Sequence, residues 1–469
     1  MLFHTFEFFV LLFVTFFSFY IFPKKRIYIL ALANIIFYGA SGTRYLLLFL
    51  IVSLITYLCS LKLETCYWKI FYLIGILVVI SNLLFFKYTG FVLNNLEKFM
   101  RIHFPWQDSL LSKILLPVGI SFYTFQLIAY LVDVKRKEIK PCDSFINFWV
   151  FISFFGQLIA GPIMRGKEFL PQIENLQDNK LTLRNFKYGF YYIIMGLTKK
   201  IIFADFLASK ADFYFNQVGN LNSLDAWFAS YLFAFQIYFD FSAYSEIAVG
   251  VGYLFGLYLN INFKSPYISA SPSEFWKRWH ITLSSWIKDY IYIPLGGAKK
   301  GTLLQYMFLI IAMAISGLWH GAAWTFIMWG IYHGLLSAFH KIYRKWIKLE
   351  RKNSFYKILS IFIFFNLTTI GWVFFRAKSI HEAVFMIKKM ITLCDISFSH
   401  VYFVYFGFIA LLYGIHILEY FIRNNEITLK LFWEKHVPTG IRAAAYMAIL
   451  IILILLTKTE ESSFIYFQF

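Results

Sequence analysis

The chain has 469 residues, of which 60% are hydrophobic and 22% aromatic, and its formal net charge at pH 7 is +19. Soluble domains contain about 45–50% apolar residues, so this composition excludes an ordinary water-soluble protein and indicates an integral membrane protein. The 44 Lys and Arg residues outnumber the 25 Asp and Glu residues, but they lie in short loops between apolar runs. That pattern fits membrane orientation and anionic lipid headgroups, and it argues against nucleic-acid binding.

Apolar runs along the whole chain predict membrane spans, because about 20 apolar residues cross a hydrocarbon core of about 30 Å. The candidate spans lie near 3–22, 27–40, 45–62, 68–87, 115–134, 145–162, 186–206, 226–250, 303–318, 322–340, 356–375, 401–421 and 441–457. Since some of these segments are expected to be re-entrant or tilted, we predict about 11 true crossings. No hydrophilic stretch is long enough to form a separate domain, so residues 1–469 are predicted to be a single all-α polytopic domain.

The first apolar run is predicted to be a membrane span and not a secretory signal. Glu7 stands where a signal peptide carries basic residues, and the basic cluster "PKKR" (23–26) follows the apolar run. The positive-inside rule then places the N-terminus outside and 23–26 in the cytoplasm. The basic segments 134–140 and 340–357 are expected on the cytoplasmic side as well.

Two polar features precede the most polar segment of the chain. Arg165 follows a Gly-Pro break in "AGPIMRGKEFLPQ", where it is suited either to attract an anionic donor or to reach lipid headgroups. Gln236 and Asp240 lie in "QIYFDFSAYSEIAVG", within an apolar run. They either line a path for a polar substrate or form internal hydrogen bonds between helices, and we prefer the second interpretation.

The most polar segment is "SPSEFWKRWHITLSSWIKDYIYIPLGG", residues 271–297. Its first residues, "SPSE", form a helix start with a capping box. Aromatic and leucine side chains then recur at intervals of three and four, which predicts one stripe of an amphipathic or re-entrant helix. The stripe comprises Trp276, Trp279, Leu283, Trp286 and Tyr290, and a neighbouring polar face carries Lys277, His280, Ser284 and Lys288. Residue types alone favour an interfacial anchor over the lining of a polar cavity.

The apolar stretch 303–340 is too long for one span, because a straight helix of this length would measure about 55 Å. Gly317 and Gly321 flank the expected break, with His320 between them at membrane depth. Desolvation disfavours the imidazolium form there and leaves a neutral ring that can accept a proton during acyl transfer. A hydrogen-bonded packing histidine fits the pattern about equally well. For His333, packing is preferred over a role in the same cavity.

Several other kinds of site have no sequence signature. The four cysteines, including Cys394, show no CxxC pair and no metal-ligand spacing. The chain has no Gly-rich phosphate loop, no HExxH zinc motif and no GxSxG elbow. No internal repeat is visible, which weakens the interpretation as an inverted-repeat transporter.

The block "SEFWKRWHITLSSWIKDYIYIPLGG" followed by "GLWHGAAWTFIMWGIYHG" resembles the membrane-bound O-acyltransferases. The similarity is to the bacterial branch that serves alginate acetylation, peptidoglycan acetylation and teichoic-acid D-alanylation. Supporting blocks are "LPVGISFYTFQ" (116–126), "GPIMRGKEFLPQ" (161–172), "QIYFDFSAYSEIAVG" (236–250) and "FIYFQF" (464–469). Ala243 and Glu246 stand where Gly and Asp are expected, which leaves the final substrate open.

The resemblance implies a ring of about 11 helices around a central funnel, with His320 as the catalytic histidine and His280 as the second functional histidine. Trp276, Trp279 and Trp319 would then form the tunnel wall. The remaining candidate lining residues are Arg278, Ser284, Gln236, Asp240, Arg165 and His333. The resemblance implies no metal and no bound cofactor. The acyl donor would be a cytoplasmic thioester such as acetyl-coenzyme A, and the partner a periplasmic or membrane-anchored esterase-like acetyltransferase.

The expected function is therefore acetyl transfer at the bacterial inner membrane for O-acetylation of a periplasmic polysaccharide. Peptidoglycan is the first choice, because a chain rich in Phe, Ile, Lys and Asn suggests an AT-rich genome. Alginate or another exopolysaccharide and D-alanyl transfer to teichoic acid are the alternatives within the enzyme class. A transporter with a histidine relay would show intramembrane carboxylates facing the histidines and a hydropathy repeat, neither of which is visible. A non-catalytic scaffold for a periplasmic enzyme is the third interpretation.

Overall fold

The computed structural model describes residues 1, 3, 5–102, 104, 106–346, 354–393, 395–396, 399–456 and 464–465, and all regular structure in these ranges is helical. Part of the basic segment 340–357, Cys394 and residues 466–469 of the last family block lie outside the described residues. The helices are α1 (Phe6–Ile21), α2 (Arg26–Gly39), α3 (Thr43–Leu61), α4 (Trp68–Leu83), α5 (Thr89–Met100), α6 (Gln107–Leu111), α7 (Ile120–Lys135), α8 (Phe145–Ser153), α9 (Gly166–Glu174), α10 (Leu183–Thr198), α11 (Asp205–Phe215), α12 (Ser223–Leu254), α13 (Pro272–Phe275), α14 (Ile281–Ile287), α15 (Ile293–Leu295), α16 (Thr302–His320), α17 (Trp324–Trp346), α18 (Ser354–Arg376), α19 (Ile380–Thr392), α20 (Val401–Asn424), α21 (Glu426–His436) and α22 (Thr439–Leu456).

Within these ranges, six helices are long and apolar enough to cross a membrane: Thr43–Leu61, Trp68–Met100, Thr302–His320, Ser354–Arg376, Val401–Asn424 and Thr439–Leu456. The pair Phe6–Ile21 and Pro23–Gly39, bent by 119°, is a seventh if it counts as one span. The all-α membrane class predicted from composition is therefore confirmed. The figure of about 11 crossings and the central funnel stay predictions.

The chain divides into two compact units. The first comprises 1–195 and 244–261, and the second comprises 196–243 and 262–469. Helix α12 contributes residues to both, because the division falls between Ala243 and Tyr244. His280, His320 and His333 all belong to the second unit, whereas Arg165 belongs to the first.

In the first unit, the span predicted at 145–162 is helical only as far as Ser153. The following irregular backbone is buried through Met164 and takes its hydrogen bonds from within the unit. The N–H of Phe155 donates to Oδ1 of Asn34 (2.9 Å), and Nε2 of Gln157 donates to the Phe151 carbonyl (2.6 Å). Irregular backbone that is buried away from water needs such partners. Hydropathy alone cannot separate this buried loop from a helix.

In the second unit, α16 and α17 form a tight hairpin that depends on glycine. A Cβ atom added to Gly317 would lie 2.1 Å from the Phe326 carbonyl oxygen, and one added to Gly330 would lie 2.2 Å from the Met313 carbonyl oxygen. The two backbones therefore touch directly. The sequence places the break between Gly317 and Gly321, whereas α16 continues through Gly317 and ends at His320. Gly317 therefore allows the close contact between α16 and α17, and the helix break lies after it, at 321–323.

We predict that Gly317→Ala destabilises the hairpin, because the new methyl group has no space beside Phe326. Overpacking of this kind costs about 1–3 kcal/mol. Thermal unfolding of the detergent-solubilised protein, followed by fluorescence-detected size exclusion, should show a midpoint several degrees lower.

Gly407→Ala in α20 is the matched control, since no described atom lies within 4 Å of a Cβ at that position. This control should be neutral or stabilising by up to about 1 kcal/mol, because alanine has the higher helix propensity. Equal midpoints for Gly317→Ala and Gly407→Ala would contradict the close approach of α16 and α17.

Candidate active site

The segment 271–297 differs from the single amphipathic helix expected there. It contains α13, α14, a π-helical turn at Lys288–Tyr292 and α15. Half of the capping box forms as expected, because Ser271 Oγ accepts the Glu274 N–H (3.3 Å). The Glu274 carboxylate accepts the N–H of Ala270 (3.0 Å), the residue before the N-cap, and not that of Ser271. The regular helix nevertheless ends after one turn. After Phe275 the backbone forms hydrogen bonds with the loop before the helix, at Asn262 and Lys264, and does not continue as regular helix. A helical spacing of side chains gives no information about such backbone bonds.

These hydrogen bonds fix the backbone around His280. The Lys264 N–H donates to the Arg278 carbonyl (2.9 Å), and the Ile281 N–H donates to the Asn262 carbonyl (3.0 Å). Oδ1 of Asn262 accepts both the N–H (3.2 Å) and the hydroxyl (2.7 Å) of Thr282. His280 is thereby held in the left-handed region, with φ 41° and ψ 55°. A residue with a β-carbon adopts this conformation at a cost, and only where its surroundings enforce it.

His320 is the last residue of α16, and the next residue, Gly321, is fully extended (φ −159°, ψ 150°). The imidazole ring centroids of His280 and His320 lie 6.4 Å apart. The two rings are 0% and 3% exposed. Trp319 lies beside both histidines, with centroid distances of 5.9 Å to His280 and 5.0 Å to His320. The fold thus brings together two histidines that stand forty positions apart in the sequence.

An aromatic enclosure surrounds this pair. Phe241 of α12 approaches His280 edge-on at 4.6 Å, while Trp329 of α17 and Phe375 of α18 lie 5.0 Å and 5.3 Å from His320. Trp372 packs against Trp329 at 5.7 Å. Sequence reasoning missed all four of these side chains. Phe241 and Trp329 lie within the family blocks quoted above, which is a signal for them, whereas Trp372 and Phe375 are only aromatic residues in an apolar run. That pattern does not distinguish a site wall from a lipid-facing surface.

His333 and His320 both contact the Trp329 ring, each with a centroid distance of 5.0 Å. His333 stacks on Phe275 at 5.9 Å and lies 5.3 Å from Trp276. Nε2 of His333 and the indole nitrogens of Trp276 and Trp329 are buried without a hydrogen-bond partner among the described residues. Three polar nitrogens without a partner among the described residues thus lie within this aromatic cluster.

Trp279, Ser284 and Arg278 support the turn around His280. Trp279 is buried and packs on Trp372 at 4.8 Å, and its carbonyl accepts the hydroxyl of Ser284 (3.2 Å). Arg278 donates to Glu274 Oε1 (3.0 Å) and to the Lys264 carbonyl (3.0 Å). The Arg278 side chain thus connects the turn to α13 and to the preceding loop.

The remaining candidate residues are Asp240, Gln236 and Arg165. Asp240 is buried, with Oδ1 accepting from Lys200 Nζ (2.9 Å) and Oδ2 accepting from the Ile465 N–H (2.8 Å). Gln236 is buried one turn earlier in α12. Arg165, in the first unit, is half-buried immediately before α9. The geometry of Asp240 fits the internal hydrogen-bonding role preferred from the sequence.

The arrangement has groups suited to proton transfer within a buried aromatic enclosure. A neutral imidazole can accept a proton from one group and give it to another, and His280 and His320 lie close enough to serve the same reacting centre. Aromatic rings surround both imidazoles, so a reacting group placed between them would be shielded from water.

Comparison with known proteins identifies the family of the chain. Residues 137–380 match the MBOAT, membrane-bound O-acyltransferase family, a range that includes His280, His320 and His333. The chain is 38% identical to a peptidoglycan O-acetyltransferase of Helicobacter pylori over 410 residues, covering 81% of this chain and 76% of the relative. It is also 38% identical to the probable alginate O-acetylase AlgI of Pseudomonas putida, covering 79% and 76% of the two chains.

A more distant relative is the teichoic acid D-alanyltransferase of Streptococcus thermophilus, 29% identical over 55% of this chain and 68% of the relative. All three relatives are named as acyltransferases, and they come from the branch that the sequence blocks resemble. The chain belongs to the membrane-bound O-acyltransferase family and is a multi-pass membrane acyltransferase.

Proposed function

We propose that this acyltransferase takes an acetyl group from a cytoplasmic thioester, such as acetyl-coenzyme A, and passes it across the inner membrane for O-acetylation of peptidoglycan. The observation that carries the proposal is the pair of buried imidazoles, His280 and His320, 6.4 Å apart within an aromatic enclosure. The similarity to a protein named peptidoglycan O-acetyltransferase supports the choice of polymer.

In the proposed reaction, His320 acts as the general base. Its imidazole takes the proton of the acceptor hydroxyl, and the oxygen attacks the thioester carbonyl carbon to form a tetrahedral intermediate. The intermediate collapses with cleavage of the C–S bond, and the imidazolium returns the proton to the departing sulfur. The products of this first transfer are a free thiol and an O-acetyl ester of the acceptor, and the histidine ends in its starting state. Because the partner delivers the acetyl group, this acceptor is the partner or a carrier; a second transfer then moves the acetyl group to a polymer hydroxyl and regenerates the acceptor hydroxyl.

His280 and the surrounding aromatic residues orient the thioester for this attack. His280 lies within the same enclosure as His320 and is held there by a strained backbone, so its ring position is fixed before the donor binds. The unpartnered nitrogens of Trp276, Trp329 and His333 provide donors or acceptors for the polar end of the acyl group.

The final acceptor and the partner complete the proposal. We infer that the acetyl group leaves on the outer face and is delivered to the polymer by a periplasmic or membrane-anchored esterase-like acetyltransferase. Alginate or another exopolysaccharide is the second candidate polymer, and teichoic-acid D-alanylation is the third, in line with the names of the other relatives. A transporter built on a histidine relay is the alternative from another class.

We expect His320→Ala to lower ester-linked acetate on purified peptidoglycan at least about 100-fold, because removal of a general base costs about 10²–10⁴ in rate. The measurement uses a strain that lacks the gene and is complemented with wild type or variant at matched membrane levels. His436→Ala, on the exposed surface of α21, is the control and should restore acetate fully. Normal acetate with His320→Ala would refute the catalytic assignment and favour a scaffold.

His280→Asn separates the chemistry of the ring from the strain of its backbone. Asparagine tolerates the left-handed region, so the turn should form and the thermal unfolding midpoint should stay within about 2 °C of wild type. Acetyl transfer should nevertheless fall at least about tenfold, because the imidazole is lost. If His280→Asn transferred acetate at the wild-type rate, His280 would be a structural residue only.

The polymer is identified by measuring three ester-linked groups in the deletion and complemented strains: acetate on peptidoglycan, acetate on exopolysaccharide and D-alanine on teichoic acid. We expect only the first to disappear on deletion and to return with the wild-type gene. Loss of either of the other two, with unchanged peptidoglycan acetate, would assign the corresponding alternative. If all three were unchanged, the transporter alternative would gain support.

A further inference from the structure

A network of buried charges lies behind the active-site wall in the second unit. Glu419 of α20 accepts hydrogen bonds at Oε1 from Lys199 Nζ (2.6 Å) and Arg423 Nε (2.9 Å). Its other oxygen, Oε2, accepts from the hydroxyl of Tyr238 (2.6 Å). Glu419 is 9% exposed and Lys199 4% exposed. Burying a carboxylate is costly unless it is fully paired, so this network holds the Glu419 side chain in one position.

His416, one turn before Glu419, is fully buried; one ring nitrogen makes a hydrogen bond and the other faces the Glu419 carboxylate. Nε2 accepts the backbone N–H of Tyr267 (3.2 Å), which requires that nitrogen to be unprotonated. The ring proton is therefore on Nδ1, which lies 3.7 Å from Glu419 Oε2. A carboxylate near one ring nitrogen favours the tautomer that makes the other nitrogen an acceptor. The Tyr238 ring, edge-on at 4.6 Å, closes the space around the imidazole.

Tyr267 is held at three points. Besides the N–H bound by His416, its carbonyl accepts the hydroxyl of Tyr413 (2.9 Å), and its own hydroxyl donates to the Ala234 carbonyl (2.6 Å). The residue before the turn, Ser265, has φ 44°, so this backbone is strained like that of His280 and needs external partners. Both backbone hydrogen bonds of Tyr267 come from side chains of α20.

Tyr267 transmits this constraint to the active site. Its ring stacks on Trp279 at 6.2 Å, and Trp279 is the residue that precedes His280. The Tyr267 ring also contacts the ring of Phe365 in α18, with a centroid distance of 5.2 Å. We propose that Glu419 and His416 are positioning residues for acyl transfer: they fix Tyr267, which fixes Trp279 and thereby the ring of His280. This inference rests on the proposed function.

The test compares His416→Leu, which removes the acceptor for the Tyr267 N–H, with His416→Gln, whose amide oxygen can replace it. Membrane vesicles that contain the full protein and its native partners receive radiolabelled acetyl-coenzyme A at several concentrations, and ester-linked label is measured. We expect His416→Leu to lower kcat about tenfold or more while KM for the donor stays within about twofold, because misorientation slows the chemical step. His416→Gln should recover most of kcat.

Leu418→Ala, on the exposed face of α20, is the control and should leave kcat unchanged. Thermal unfolding of every variant is measured alongside. The inference is overturned if His416→Leu has wild-type kcat, or if His416→Gln and His416→Leu lose activity equally and in proportion to their unfolding midpoints. Failure of wild-type vesicles to form any ester-linked label would instead overturn the proposed function, so the two failures are distinguishable.

Discussion

Buried backbone N–H and C=O groups need hydrogen-bond partners within the protein, and this constraint determines where the histidines of this acyltransferase lie. The long helices satisfy it internally, but the two segments that carry His280 and His320 interrupt regular helix. At His280 the missing partners come from Asn262 and the backbone at Lys264 and Arg278. The break after His320 is short, and the Ala323 N–H donates to the Gly321 carbonyl (2.9 Å). The two interruptions allow side chains from distant segments to meet at one point.

The enclosure and the charges around it have separate roles. The rings nearest the histidine pair, among them Phe241, Trp329 and Phe375, present apolar surface to the two imidazoles. The charged groups of the second unit are paired with one another instead: Lys199 with Glu419, and Lys200 with Asp205 and Asp240. Lys199 and Lys200 each have a carboxylate oxygen within 3 Å, so neither buried ammonium group is left without a counter-charge. This pairing contributes rigidity, since removing one partner would leave an uncompensated buried charge.

The sequence predicts the parts of the molecule that depend on local pattern. Hydropathy is sufficient for the long helices, and excess length together with glycine is sufficient for a break near His320. The short turns within 271–297 could not be predicted, because their hydrogen bonds go to Asn262 and Lys264 and not to the next helical turn. The nearness of His280 to His320 came only from the family resemblance. His416 and Trp372 gave no signal, since an isolated polar or aromatic residue in an apolar run does not reveal its partner.

The glycine contacts between α16 and α17 have a consequence for how the acyltransferase works. Where two helix backbones touch, as at Gly317 and Gly330, neither helix can rotate or slide without collision. His320 ends the first helix of this pair, so its imidazole is attached to one of the least deformable pieces of the chain. In the proposed mechanism, the donor and the acceptor therefore move into line with the His320 imidazole, whose own position stays fixed. Selection for a different acyl length would accordingly alter the rings that face His320 and leave the hairpin itself unchanged.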